Sequence, residues 1–159
     1  MTTTYVGVCG AGVASGELAA LAEEVGRRLA EAQAVVVCGG GGGVMEAVSR
    51  GAESAGGTTV GLLPGGERAA GNEHLTVVIP TGLGEMRNAL IVRASDVIVA
   101  IGGEWGTLSE IAFGRRLGRT VATLGSWRPQ GAGPMADAPG VEEAGDAVEA
   151  VRIALEAAG

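Results

Sequence analysis

The chain has 159 residues, of which 47% are hydrophobic and 18% are charged, and its formal net charge is −7. This length predicts one domain spanning residues 1–159, and the composition excludes a disordered chain. No apolar run approaches the roughly 20 residues that a membrane-spanning helix needs, and the negative charge argues against nucleic acid as a partner. We therefore expect a globular protein with neither a membrane nor a nucleic-acid partner.

All eleven basic side chains are arginine. The absence of lysine excludes a Schiff base with pyridoxal phosphate and a Walker A loop. Cys9, Cys38 and the single His74 lack the spacing of a zinc site, so we predict no metal; the cysteines are expected to be buried and His74 to be solvated at the surface. The first residues do not resemble a signal peptide, which predicts a cytoplasmic protein.

Apolar runs alternate with amphipathic segments along the chain. The predicted strands are 5–9, 34–38, 58–63, 75–79, 97–101 and 120–124. The predicted helices are 17–32, 44–52, 85–94, 107–118 and one that starts at Asp146, with Val148, Val151 and Leu155 on its apolar side. Between them, 64–72 is an irregular loop that we interpret as a candidate flap, and 126–140 is a second long loop. Near-continuous apolar strands alternating with helices indicate a parallel sheet covered on both faces.

Glycine-rich loops follow several of the predicted strands. In a parallel α/β sheet these loops all lie at the carboxyl edge, where ligands bind. An uninterrupted glycine run is entropically costly to order, which favours close approach to a ligand. The candidate ligand-binding residues of the first two loops are Gly10, Gly12, Gly39, Gly40, Gly41, Gly42, Gly43 and Met45.

The first of these loops has a second interpretation. Its glycines are spaced G-x-G-x-x-x-G, and no acidic residue follows the strand 34–38, so a dinucleotide site is disfavoured. The pattern favours Gly10 and Gly12 as simple turn residues that line a pocket wall.

The stretch 102–110 joins a buried strand to a helix through a glycine turn. Gly102, Gly103, Gly106 and Thr107 are candidate phosphate-binding residues, because the free N–H groups of a helix start bind anions. Glu110 lies one turn further on. The pattern Thr107-x-x-Glu110 also fits a capping box, in which the glutamate has a structural role.

Arg87 is predicted to lie in the first turn of the helix 85–94. The loop before this helix ends at the same sheet edge, so Arg87 and Glu110 should face one crevice, with Asn88 beside them. Alternatively, Arg87 is a surface cation that pairs with Glu85 or Glu110.

Arg87 followed by Gly103-x-x-Gly106-Thr107-x-x-Glu110 resembles the signature of the LOG ("Lonely guy") phosphoribohydrolases, often labelled lysine decarboxylases, over most of residues 5–125. Gly102, Glu104, Asn88 and Glu46 depart from that signature and are more similar to a branch that includes molybdenum-cofactor carrier proteins. The decarboxylase label conflicts with the absence of lysine.

The resemblance implies a Rossmann-like three-layer α/β/α fold with a mostly parallel sheet of about six or seven strands, and a homodimer or dimer-based higher oligomer. It implies that Gly103, Gly106 and Thr107 bind the 5′-phosphate of an AMP-like nucleotide, while Glu110 and Arg87 act at the ribose to hydrolyse the N-glycosidic bond. Arg87 would keep Glu110 ionised. The alternatives are a non-enzymatic carrier of a molybdopterin-type cofactor and a nucleotide-sensing protein; none of the three requires a further cofactor.

Overall fold

The computed structural model describes residues 2–159. Seven strands form one sheet in the order β4-β3-β2-β1-β5-β6-β7, and every paired strand is parallel. The strands are β1 Tyr5–Gly10, β2 Val35–Cys38, β3 Thr58–Leu63, β4 Val77–Pro80, β5 Val97–Ile101, β6 Val121–Leu124 and β7 Val141–Glu143. The helices are α1 Gly16–Glu31, α2 Val44–Ser54, α3 Arg87–Arg93, α4 Trp105–Arg116 and α5 Ala147–Ala158.

Helices cover both faces of the sheet. On one face α1, α2 and α5 pack on the larger apolar cluster, which contains Val8, Val36 and Val99. On the other face α3 and α4 contribute Val92 and Ile111 to a smaller cluster. Successive strand residues point to opposite faces, so a fully buried strand such as β5 is apolar throughout. The predicted three-layer α/β/α fold with a parallel sheet is confirmed.

Two strands differ from the sequence prediction by more than one residue. β4 starts at Val77 instead of residue 75. β7 was not predicted, because it has three residues and its two glutamates are exposed at the sheet edge. An edge strand buries little surface, so its sequence carries no strong apolar pattern.

α4 begins two residues before the predicted N-cap. Glu104 is the N-cap and Trp105 the first helical residue, while Thr107 is the third helical residue and buried. The alternative interpretation of Thr107 and Glu110 as a capping box is therefore wrong. Glu110 lies in the second turn and is 7% exposed, so it cannot reach back to the helix start.

Two smaller predictions also need correction. Val148 is 51% exposed, because the buried stripe of α5 runs through Ala147, Val151 and Ala154. The His74 side chain is only 18% exposed, and its Nδ1 lies 2.6 Å from Glu53 Oε2 instead of being solvated. Both cysteines are buried and free, as predicted.

Candidate functional site

A cavity of about 200 Å³ opens at the carboxyl edge of the sheet. It lies beside the end of β1, which has β2 on one side and β5 on the other. The chain leaves β1 towards β4 and then returns to β1 with β5, so the strand order reverses here. Such a switch point leaves a crevice between the loops of neighbouring strands, which is where open α/β sheets bind ligands.

The cavity gathers residues from five separate segments of the chain. The predicted site residues that line it are Gly10, Gly12, Gly39, Met45, Arg87, Asn88, Gly106, Thr107 and Glu110. The predicted site residues outside its lining are Gly40, Gly41, Gly42, Gly43, Gly102 and Gly103. Arg87 and Glu110 therefore face one crevice, as the topology predicted.

Four lining residues were missed by the sequence analysis: Val8, Cys9, Ala11 and Glu104. Val8 and Cys9 have the pattern of an ordinary buried strand. The signal that could have identified them is position, because the last residues of a parallel strand form the floor of a carboxyl-edge crevice. Glu104 follows directly after the glycine turn and could have been found in the same way.

Most of the glycine run 39–43 approaches other parts of the protein rather than the cavity. A Cβ on Gly43 would lie 2.3 Å from the Ala11 carbonyl oxygen, and one on Gly40 would lie 2.6 Å from the Leu63 side chain. Asn72 fixes the run from outside, because its backbone N–H and side-chain amide donate to the carbonyls of Gly40 and Gly41. The glycines of this run therefore mainly allow close packing against other segments of the same chain, and not close contact with a ligand.

The N-terminus of α4 presents backbone donors at the cavity. Its first helical hydrogen bond is donated by the Leu108 N–H to the Glu104 carbonyl, at 3.1 Å. The N–H groups of Trp105, Gly106 and Thr107 precede that bond, and within the described residues the Glu104 side chain does not cap them. Free N–H groups and the helix dipole together favour an anion at this end of the helix.

Glu110 is a buried carboxyl group in the wall of this cavity. Burial raises its pKa from 4.5 to about 7, while attraction to the Arg87 guanidinium and a hydrogen bond with the Cys9 thiol act in the opposite direction. Desolvation of the charged form outweighs both. The expectation that Arg87 keeps Glu110 fully ionised is therefore wrong for the free protein.

Arg87 is held at the start of α3 by backbone carbonyls. Its Nη1 donates to the Gly39 carbonyl at 2.6 Å and to the Leu62 carbonyl at 2.8 Å. Burial lowers the pKa of this guanidinium from its usual range, although the Glu110 carboxylate opposes the shift. Its Nε is buried and has no hydrogen-bond partner among residues 2–159. Arg87 thus combines a structural role at two strand ends with a charge facing the cavity.

No group of three or more His, Cys, Asp and Glu side chains within residues 2–159 is arranged to hold a metal ion. In that part of the chain, none of the helices has both the length and the apolar character needed to cross a membrane.

Known protein structures share this fold. The molybdenum cofactor binding protein of Rippkaea orientalis is 29% identical, with a TM-score of 0.87 over 98% of each chain. The molybdenum cofactor carrier protein of Chlamydomonas reinhardtii is 30% identical, with a TM-score of 0.85 over 98% of each chain.

A relative was also found by sequence. It is the "Probable cytokinin riboside 5'-monophosphate phosphoribohydrolase LOGL5" of Oryza sativa subsp. japonica, which is 38% identical over 93 residues, or 57% of this chain and 38% of the rice protein. The SLOG cluster4 family model matches residues 3–150. The resemblance to LOG proteins is thereby confirmed, and the chain belongs to the SLOG cluster4 family.

Proposed function

We propose that the protein binds a nucleoside 5′-monophosphate in this cavity and hydrolyses its N-glycosidic bond. The observation that carries the proposal is that the buried Glu110 and the first-turn residues Gly106 and Thr107 of the same helix line one cavity. Glu110 lies about one helical turn beyond these two residues, or roughly 5.4 Å along the axis. A ligand whose phosphate lies at their N–H groups can therefore place its ribose near Glu110.

In the proposed complex the phosphate lies against the N–H groups of Gly106 and Thr107. Arg87, which also lines the cavity, supplies a positive charge beside the ligand. Asn88, also in the cavity wall, adds an amide that can bond ribose hydroxyls. Gly12 leaves the backbone open on its side of the cavity, because an added Cβ there would meet no atom within 4 Å.

The reaction follows from the chemistry of Glu110. Water attacks the anomeric carbon, the bond to the base nitrogen breaks, and ribose 5-phosphate and the free base are released. A carboxyl group with a pKa of about 7 is half ionised at neutral pH and can accept a proton from the attacking water. Its charge also stabilises the cationic character that develops at the anomeric carbon.

The test is release of adenine from AMP, measured by chromatography. We expect the wild type to release adenine and ribose 5-phosphate in equal amounts. Glu110→Gln should lose at least about 100-fold in rate, the scale of general base catalysis, and still bind AMP. Glu156→Gln, a change on the exposed side of α5, should leave the rate unchanged. Full activity in Glu110→Gln would contradict the mechanism.

A second candidate function is the binding of a molybdopterin-type cofactor as cargo. The observation that favours it is the likeness to the two molybdenum-cofactor proteins along nearly the whole chain. The same helix N-terminus would hold the phosphate of the cofactor, and Glu110 would then have no catalytic role. Tight binding of a molybdopterin-type cofactor together with no adenine release from AMP would favour this function.

The proposal extends to a homodimer in the cytoplasm. Met86 is 73% exposed and Leu83 is 50% exposed beside α3, which supports an apolar contact with a second copy. Light scattering tests this assembly: a mass of one chain, instead of two or a multiple of two, would contradict it.

A further inference from the structure

Both tryptophans of the chain pack against each other next to the start of α4. The ring centroids of Trp105 and Trp127 are 5.1 Å apart, and the ring planes are inclined by 35°. Trp127 is fixed, because its Nε1 donates a 2.9 Å hydrogen bond to the Glu104 carbonyl. Trp105 stays 75% exposed despite this contact. A large aromatic ring held in place by a neighbour and still open to water is typical of a binding surface.

Trp105 lies at the margin of the cavity. The residues on either side of it, Glu104 and Gly106, both line the cavity. Side chains in an α-helix tilt towards its N-terminus, which here is the end that faces the cavity. Trp105 therefore lies beside the mouth of the site, and its indole is open to water and not buried under α4.

The loop that carries Trp127 is attached to the same glycine turn. Ser126 Oγ donates to the Gly102 carbonyl, and Trp127 Nε1 donates to the Glu104 carbonyl two residues later. These bonds position Trp127, and the contact between the two tilted rings supports the indole of Trp105 before any ligand arrives. A ligand that stacks there need not order the side chain, which reduces the entropic cost of binding.

The size of the cavity requires such a surface outside it. Its volume of about 200 Å³ is below the roughly 300–1,000 Å³ of sites that enclose a small ligand. A phosphate and a ribose can occupy the space between the α4 N-terminus and Glu110. A purine or pterin ring attached to them must then lie at or beyond the mouth.

We propose that the exposed face of Trp105 is the stacking platform for the planar heteroaromatic ring of the phosphorylated ligand. This inference rests on the proposed function, because it assumes that the phosphate lies at the α4 N-terminus. A ligand ring that stacks on the exposed face of the Trp105 indole leaves the tilted contact with Trp127 in place.

The experiment compares two ligands that differ only by the ring. AMP and ribose 5-phosphate are titrated by calorimetry into the Glu110→Gln protein, which prevents turnover, with and without Trp105→Ala. We expect Trp105→Ala to weaken AMP binding by about tenfold or more, the scale of base–aromatic stacking. The affinity for ribose 5-phosphate should stay unchanged, and Trp105→Phe should restore most of the AMP affinity.

A control variant and a spectroscopic readout accompany the titrations. Tyr5→Ala removes another partly exposed aromatic ring, at the amino end of β1 and hence at the opposite edge of the sheet; it should change neither affinity. In Trp127→Phe the only indole left is Trp105, and AMP should quench its fluorescence while ribose 5-phosphate does not.

Three results would overturn the inference. An equal loss of affinity for AMP and ribose 5-phosphate in Trp105→Ala would show that Trp105 supports the helix start only, and the proposed function would survive. A fluorescence change that follows protein concentration and not AMP would place a second copy on Trp105. Failure of both ligands to bind the parent protein would remove the proposed function itself.

Discussion

The Arg87 guanidinium donates a 2.6 Å hydrogen bond to the Gly39 carbonyl and thereby attaches the first residue of α3 to the loop after β2. This contact requires glycine at position 39, because a Cβ there would lie 2.2 Å from Arg87 Nη1. Leu62 at the end of β3 accepts a second bond from the same nitrogen. One side chain therefore satisfies two strand-end carbonyls and places its charge beside the cavity.

Replacement of Arg87 by methionine should change both the free energy of unfolding and the pKa of Glu110. Two backbone carbonyls lose their donor, which should lower the free energy of unfolding by about 1–3 kcal/mol. The pKa of Glu110 should rise further, because attraction to Arg87 lowers it in the native protein. Urea unfolding and the infrared carboxyl band measure the two effects. Arg93→Met, at the exposed end of the same helix, is the control and should leave the pKa of Glu110 in place.

Glu110→Gln should stabilise the protein at high pH. The native pKa of about 7 lies above the ordinary value of 4.5, so the native state binds more protons than the unfolded state between these pH values. The wild type should therefore lose stability as the pH rises through this window, by about 3 kcal/mol in total. The difference in unfolding free energy between variant and wild type should grow from pH 4 to pH 8. A difference independent of pH would show that the pKa of Glu110 is not raised.

The rate of adenine release should depend on pH through the ionisation of Glu110. If ionised Glu110 accepts the proton of the attacking water, kcat/KM rises with pH through about 7 in the free protein. The measurement is the rate at low AMP concentration between pH 5 and pH 9. A rate that is constant across this range would exclude Glu110 as the general base.

Cys9→Ala and Cys38→Ala form a matched pair. Both thiols are buried, but Cys9 packs in the cluster under α3 and α4, whereas Cys38 packs on the opposite face and contacts Ser49. Because the Cys9 thiol lowers the pKa of Glu110, its removal should raise that pKa. Cys38→Ala should leave it unchanged. Carbon-13 NMR of labelled glutamate measures the shift, and equal shifts in both variants would contradict a specific contact with Cys9.

Gly106→Ala tests whether glycine is needed at this position for stability or for ligand binding. The nearest atom to an added Cβ is Asn88 Nδ2 at 3.7 Å, so α4 accommodates alanine and its stability should change by no more than about 1 kcal/mol. The methyl group would enter the cavity beside the proposed phosphate. We expect AMP affinity to fall on the order of tenfold, or about 1.4 kcal/mol.

Gly16→Ala provides the control for this change. Gly16 is the first residue of α1, and an added Cβ meets no atom within 4 Å. Its variant should keep the AMP affinity. Calorimetry compares the two variants, and undiminished affinity in Gly106→Ala would move the phosphate away from this helix start.

The alternation of apolar runs and amphipathic segments was sufficient to predict the layered parallel sheet. The period of an apolar pattern is a local property, and it determines whether a segment buries one stripe or both faces. The carboxyl-edge position of the loops followed from topology, so Arg87 and Glu110 could be placed at one crevice in advance. Strand β7 was not predicted, because an edge strand buries few side chains and therefore has no strong apolar pattern.

Other properties depend on residues far apart in the chain. The glycine run around Gly43 had a pattern consistent with ligand binding, yet most of it is explained by contacts with Ala11 and Leu63. The pKa of Glu110 could not be read from a charge count, because burial outweighs the attraction of Arg87. Periodicity and topology are encoded along the backbone, whereas steric fit and desolvation arise when distant segments pack against each other.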